Sequence, residues 1–289
     1  MRKGGLSGAV PHLLRLSVIE RMKIKSGYRV NNGSKVKLSR LKTDSAGGFK
    51  SKEQAAPVLV KHRDRLSEAQ EVLYASGKKA LLIVLQGMDA AGKDGTVSHI
   101  FSGVNPQGCN VTSFKVPTPD EAKHDFLWRV HKAVPERGMI GIFNRSHYED
   151  VLSPSVHKVI GDKEVRRRLA EINHFEESLA ENDVAILKFF LYISEEEQKR
   201  RLQSRLDTPA KHWKLSLADF NERIFWPQYM EAYETLLSTT SREDAPWFVI
   251  PADVKWYRDI AISEIVLKAM EGLKLKYPKP TVDASKIKL

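Results

Sequence analysis

The apolar run Leu81-Leu82-Ile83-Val84-Leu85, which empties through Gln86 into Gly87-Met88-Asp89-Ala90-Ala91-Gly92-Lys93-Asp94-Gly95-Thr96, constrains this chain more than any other stretch. The run suits a buried strand, and the residues after Gly92 read as the first turn of a helix. Between them lies the spacing G-x-x-x-x-G-K. Gly87 and Gly92 let the backbone curl so that its N–H groups face an anion, the helix start adds positive dipole, and Lys93 reaches the terminal phosphates.

One position departs from the usual pattern. The residue after the lysine is ordinarily Ser or Thr, whose hydroxyl binds magnesium; here it is Asp94, with a second carboxylate, Asp89, inside the loop. Carboxylates beside bound phosphates repel them unless divalent ions sit between, and magnesium favours a carboxylate or two plus phosphate oxygens. Asp89 is therefore expected to be a metal ligand, with Asp94 as the weaker candidate. The bland alternative is a glycine-containing strand-to-helix turn in which both carboxylates are solvated or capping.

Strands alternating with helices run through the chain. Gln54 to Tyr74 carries apolar positions at helical spacing and ends at Gly77. Later strands are expected at Asn110 to Val116, Met139 to Phe143, Val184 to Ile193 and Trp247 to Pro251. Thr118-Pro119-Asp120-Glu121 reads as a cap, a proline and an acidic first turn, opening a helix to about Ala133. Val165 to Glu181 and Val254 to Leu273 read as helices. Glu195 to Ser238 reads as a helical hairpin inserted between strands, its second arm one long helix from about Leu217 to Leu237. This pattern implies a parallel sheet covered on both faces, with ligands at the carboxyl ends of its strands. Asn144-Arg145-Ser146-His147-Tyr148-Glu149-Asp150 crowds such an end.

The formal charge of +11, from 47 basic and 36 acidic residues, predicts attraction to polyanions. Charge alone does not choose among nucleic acid, anionic membrane and phosphate-rich substrates. The lone Cys109 excludes an internal disulfide framework and fits a reducing compartment. No apolar run approaches a membrane span. The chain is expected to be cytoplasmic, with neither membrane nor nucleic acid as partner. Residues 1–55 read as a basic arm, 56–275 as the main domain with a helical insertion at about 195–238, and 276–289 as a tail. Met22 opens the first stretch that reads as part of a domain and is expected to be the true start.

Phosphoryl transfer asks a protein mainly for positioning and charge neutralisation, and the chain supplies the parts. Lys93 and the loop amides hold phosphates, magnesium at Asp89 bridges oxygens, Arg145 approaches the same point, and Arg201 and Arg205, four residues apart, close over it as a lid. Against this, Arg201 and Arg205 also fit an exposed basic helix face, and Arg145 a surface ion pair.

These motifs resemble the family-2 polyphosphate kinases. That family's phosphate loop reads G-x-D-x-x-G-K-D-G, as Gly87 to Gly95 does, and Gly141 to Leu152 matches its second motif. The helical hairpin with Lys211-His212-Trp213-Lys214 is similar to its lid. The resemblance covers roughly residues 22–273 and implies a three-layer P-loop kinase fold with a central parallel sheet and an inserted helical lid. It implies reversible, magnesium-dependent transfer between inorganic polyphosphate and AMP, ADP and ATP, with manganese as a substitute metal and GDP and GTP as further nucleotides.

By the same resemblance, Gly87, Ala91, Gly92, Lys93, Asp94, Gly95, Arg145, Lys211 and Lys214 hold phosphate or polyphosphate, and a lid arginine, Arg201 or Arg205, contacts the chain of phosphates. Asp89, Lys93 and Arg145 are catalytic. Asn144, Glu149 and Asp150 face the nucleotide acceptor, and Asp89, Asp94 and Glu149 serve metal. The pair Glu149-Asp150 resembles the subgroup that accepts mono- as well as diphosphates; a carboxylate there is expected to help place a second magnesium. The resemblance also implies a homodimer or homotetramer. The competing expectations are an ATP-dependent nucleoside monophosphate kinase, disfavoured by Asp94, and a non-catalytic polyanion-binding module, disfavoured by the intact Lys93 and Asp89.

Overall fold

A computed structural model describes residues 26–287. The expectation about Met22 and the first half of the arm fall outside the described residues.

Strand β1 (Ala80–Gln86) is buried at every position, as its unbroken apolar run requires, and occupies the centre of the sheet. The others are β2 (Cys109–Ser113), β3 (Ile140–Asn144), β4 (Val184–Tyr192) and β5 (Trp247–Pro251). They are arranged β2-β3-β1-β4-β5, and every pairing is parallel. A sheet buried on both faces needs helices on each. One face carries α1 (Lys52–Ser76), α2 (Lys93–Ile100) and α9 (Lys255–Gly272) over Leu81, Ile83, Leu85, Leu187 and Phe248. The other carries α4 (Glu149–Val156), α5 (Asp162–Glu181) and α8 (Trp226–Thr240) over Leu82, Val84, Ile186 and Trp247. The three-layer α/β arrangement is the one expected.

Two helices differ from expectation. The capping pair at Thr118 forms, with Thr118 N donating to Glu121 Oε2 at 2.8 Å and Glu121 N to Thr118 Oγ1 at 3.2 Å. No long helix follows. A 3-10 turn spans Glu121–Lys123, His124 is extended, and only α3 (Trp128–His131) resumes. Asp125 Oδ1 takes the Leu127 N–H at 3.0 Å, the local side-chain competition that makes Asp a poor interior residue.

The insertion starts with α6 (Glu195–Leu206), capped by Ser194, and continues through a 3-10 segment, Pro209–Lys214. Its second arm is broken into α7 (Leu217–Asn221), a 3-10 turn and then α8. Proline in the first turn of α8, Pro227, has no N–H to extend a preceding helix, and so marks a start.

The described part of the arm is docked. Val30 N donates to Trp247 O and Val249 N to Tyr28 O, both at 2.9 Å, which covers the outer edge of β5. Val30 and Leu38 are buried. Helix α1 begins at Lys52, inside the stretch read as arm.

Candidate active site

The carboxyl end of β1 delivers the chain into the 87–92 loop, whose turns need unusual backbone angles. Gly92 has φ +104°, and a Cβ there would lie 2.0 Å from Arg258 Nη1. Ala90, at φ +62°, takes the left-handed conformation without that freedom, a local strain of about 1 kcal/mol or more.

Lys93 opens α2 and is buried; its Nζ donates to Gly87 O at 2.7 Å and Met88 O at 3.3 Å. Burial, and next the Arg145 guanidinium, push its pKa below 10.5, while Asp89, Glu149 and Asp94 pull the other way.

Arg145 leaves β3 at φ +61° and donates through Nη2 to Asp89 Oδ1 at 2.5 Å. Glu149, at the start of α4, lies 3.8 Å from Arg145 Nε and accepts from the buried Gln86 Nε2 at 3.0 Å. Asn144 Nδ2 donates to Asp94 Oδ1 at 2.6 Å. One oxygen of Asp89 and one of Asp94 are thus engaged, leaving each carboxylate a second oxygen beside the loop. That donor set fits magnesium, which takes one or two carboxylates and completes its shell with water and phosphate oxygens. Among the described residues no group of three or more His, Cys, Asp or Glu side chains is assembled to hold a metal, so a cation here would depend on substrate oxygens.

A cavity of about 580 Å³ opens above this floor. Asp89, Gly92, Lys93, Asp94, Gly95, Asn144 and Arg145 line one side, and Arg205, Lys214 and Asp219 of the insertion line the other. Arg205 Nη1 donates to Asp219 Oδ2 at 3.0 Å. Burial and the nearby Asp89 raise the Asp219 pKa, against the pull of Arg205. Ser113 and Lys115 at the end of β2 complete the rim; no motif singled out Lys115. It lies two residues beyond the carboxyl end of β2, inside the stretch Asn110 to Val116 expected as strand, so its only signal was a lysine near a strand's carboxyl end.

Several expected site residues stand elsewhere. Arg201 is buried behind the loop. Its Nε donates to Glu197, Nη1 to Ala90 O and Ala91 O at 3.0 and 2.9 Å, and Nη2 to Ala252 O and Asp253 O at 2.5 and 3.0 Å. All five guanidinium hydrogens are used, so none is left for polyphosphate; the expected phosphate ligand is a brace. Arg258, also buried, joins it on Ala91 O at 3.2 Å and is held by Asp259, which pairs with His99 on α2. Sequence reading missed this second arginine.

Asp150, expected at the acceptor, accepts from Arg129 Nη2 at 2.9 Å and lines a separate cavity of about 550 Å³ with Glu121 and Arg168. Adjacent residues of α4 diverge by about 100° around the helix, and here Glu149 turns to Arg145 and Gln86 while Asp150 turns to Arg129. Lys211 lies 3.5 Å from Ser204 Oγ and does not line the main cavity. Glu149 sits beside Arg145 and is likewise not part of the cavity lining.

Comparison with known proteins places this geometry among relatives. A family model described as Polyphosphate kinase 2 matches residues 49–278. The AMP/ADP-polyphosphate phosphotransferase of Meiothermus ruber is 47% identical over 261 residues, 90% of this chain and 98% of that protein. The ADP-polyphosphate phosphotransferase of Rhodopseudomonas palustris is 45% identical, over 90% of this chain and 94% of that protein. The crystal structure of Polyphosphate Kinase 2 from Arthrobacter aurescens superposes with a TM-score of 0.86 at 46% identity, covering 89% of this chain and 92% of that one.

Proposed function

The chain belongs to the polyphosphate kinase 2 family, and from that we infer that it transfers phosphoryl groups between inorganic polyphosphate and nucleotides, AMP to ADP and ADP to ATP. The relatives' names carry the substrate class. The observation that supports it in this chain is the cavity over the loop. Five cations, Lys93, Lys115, Arg145, Arg205 and Lys214, and three carboxylates, Asp89, Asp94 and Asp219, face one space at the carboxyl edge of the sheet. Cations alone would suit passive anion binding; carboxylates interleaved with them suit phosphates that arrive with divalent ions.

In this reading Lys93 turns from Gly87 O and Met88 O to the transferred phosphate, aided by the loop amides. Arg145 balances negative charge developing on the same group. Asp89 and Asp94 hold magnesium, or manganese in its place; when bound, the ion neutralises phosphate oxygens. Arg205 and Lys214 guide the polyphosphate and close the cavity against water. Glu149 acts from beside Arg145 on the acceptor side, and GDP and GTP fall within the same chemistry. With the boundary moved to the start of α1, residues 1–51, 52–275 and 276–289 serve as arm, catalytic domain and tail. We also propose a cytoplasmic homodimer or homotetramer. Among the described residues no helix is long and apolar enough to cross a membrane.

The test is production of ADP from AMP and of ATP from ADP with polyphosphate and magnesium as the only other reagents, alongside Lys93→Ala. Conversion of both, lost in Lys93→Ala, supports the reading. Conversion of ADP alone removes the monophosphate activity and leaves the donor. No conversion with polyphosphate, but phosphorylation of a monophosphate by ATP, overturns it in favour of a conventional kinase.

A further inference from the structure

Beneath the active loop lies an ionic cluster that the chemistry above does not use. His147, Tyr148, Glu176 and Lys188 are all fully buried. Lys188 stands in the middle of β4, where the neighbours Leu187 and Phe189 are core residues. Its Nζ donates to Glu176 Oε2 at 2.5 Å, Tyr148 Oη at 3.0 Å and Thr240 O at 2.7 Å, which uses its three hydrogens. Tyr148 Oη donates to Glu176 Oε1 at 2.9 Å, and His147 Nε2 lies 3.2 Å from the same oxygen. With the His147 proton on Nε2, Nδ1 is left as an acceptor, and it has no partner. Burial pushes the Glu176 pKa up, but Lys188 and His147 outweigh it and hold the carboxyl below its ordinary value.

Such a cluster is a poor investment for stability. Withdrawing an ion pair from water costs several kcal/mol per ion, and apolar residues of similar volume often do as well or better. Its location points to another use. His147 and Tyr148 sit in the four-residue bend between β3 and α4, with Arg145 at one end and Glu149 at the other. Arg145 occupies the left-handed region at φ +61°, which an arginine holds only when its surroundings over-determine it. Two consecutive side chains of that bend, His147 and Tyr148, are clamped to one carboxylate on α5. The ammonium on β4 locks that carboxylate in turn and reaches the last turn of α8, the helix that closes the insertion.

We propose that His147, Tyr148, Glu176 and Lys188 form a positioning network that holds Arg145 and Glu149 in reactive register and ties them to the end of the lid. It rests on the reading of Arg145 and Glu149 as active-site residues. The network touches no substrate; it acts through the backbone of the bend. A misplacement of about 1 Å at a catalytic group costs up to about 100-fold in rate, so loosening the bend is expected to lower kcat by about 10- to 100-fold.

The decisive variant is Glu176→Met with Lys188→Met, which releases Tyr148 and His147 without stranding a charge. Its melting temperature is expected to change by only a few degrees, because losing the partners of the Tyr148 hydroxyl, the His147 N–H and the Thr240 carbonyl offsets the gain from removing two buried charges, while kcat falls at least tenfold and KM for polyphosphate changes less than twofold. Glu176→Gln with Lys188→Met, which keeps acceptors for Tyr148 and His147, is expected to recover much of the rate. Hydrogen exchange read on a peptide spanning 144–149 is expected to quicken in the double-methionine variant and not elsewhere in the sheet. Tyr148→Phe serves if the double variant folds poorly, with a loss of kcat of about threefold or more.

A folded double-methionine variant with wild-type kcat and unchanged exchange over 144–149 overturns the proposal, as does a wild-type rate in Tyr148→Phe. A wild-type protein that does not use polyphosphate defeats the functional reading instead, and the exchange measurement still decides the network.

Discussion

Replacing Arg201 by methionine separates a brace from a phosphate ligand. In the structure this guanidinium donates to Ala90 O, Ala91 O, Ala252 O and Asp253 O, and to Glu197. Glu197 keeps Arg200, at 2.6 Å to each oxygen, and Ala91 O keeps Arg258. Three carbonyls lose their charged donor. Hydrogen bonds to charged groups contribute about 1.5–3 kcal/mol each, but the bonds share one side chain and are not additive, so a net loss of about 3–5 kcal/mol is expected, as for breaking a buried charged cluster. Unfolding entropy scales with chain length, and for 289 residues that loss lowers the melting temperature by roughly 5–8 °C.

The comparison is Arg205→Met, whose pair with Asp219 is partly solvated and contributes about 1 kcal/mol or less. Arg205→Met is expected to melt within about 2 °C of wild type and to raise KM for polyphosphate severalfold. Calorimetry and steady-state kinetics on both variants read the difference. An Arg201→Met protein that melts like wild type and shows a selective rise in KM for polyphosphate would refute the brace and restore the expectation of a second phosphate-binding arginine.

Asp89→Asn removes charge from both a proposed metal ligand and the partner of Arg145; kcat is expected to fall about 100-fold or more and the magnesium needed for half-maximal rate to rise, measured by titrating the metal at fixed polyphosphate. Because burial depresses the Lys93 pKa and the ammonium is the active form, kcat/KM is expected to decline as pH rises through a value below 10.5; a flat profile up to that pH would contradict it. In kcat the same limb should lie higher, since bound phosphate favours the charged lysine. Glu149→Asn is expected to lower use of AMP more than use of ADP, and unchanged ratios of kcat/KM for the two acceptors would remove Glu149 from acceptor selection.

Features coded by local spacing were readable from the chain. The loop from Gly87 to Thr96 and the buried runs of β1, β3, β4 and β5 depend on neighbours in sequence, and the three-layer sheet follows from their alternation with helices. Phosphate chemistry was readable for the same reason, because the loop's own backbone makes the cradle.

Which way a side chain faces was decided by docking. Arg201 and Arg205 share a helix face but stand about 6 Å apart along its axis, so one meets the carbonyls behind the loop and the other reaches the cavity. Glu149 and Asp150 are neighbours, yet the start of α4 sets Glu149 beside Arg145 and Gln86 and sends Asp150 to Arg129 and a second cavity. Lys188 interrupts the apolar run V-A-I-L-K-F-F-L-Y, a local signal that sequence reading did not take up; Glu176, twelve residues earlier on the opposing helix, carries no such signal. A motif specifies the atoms that bind an anion, because they are adjacent in the chain. The groups that hold those atoms still come from β4, α5, α6, α8 and α9, and only the packed fold brings them together.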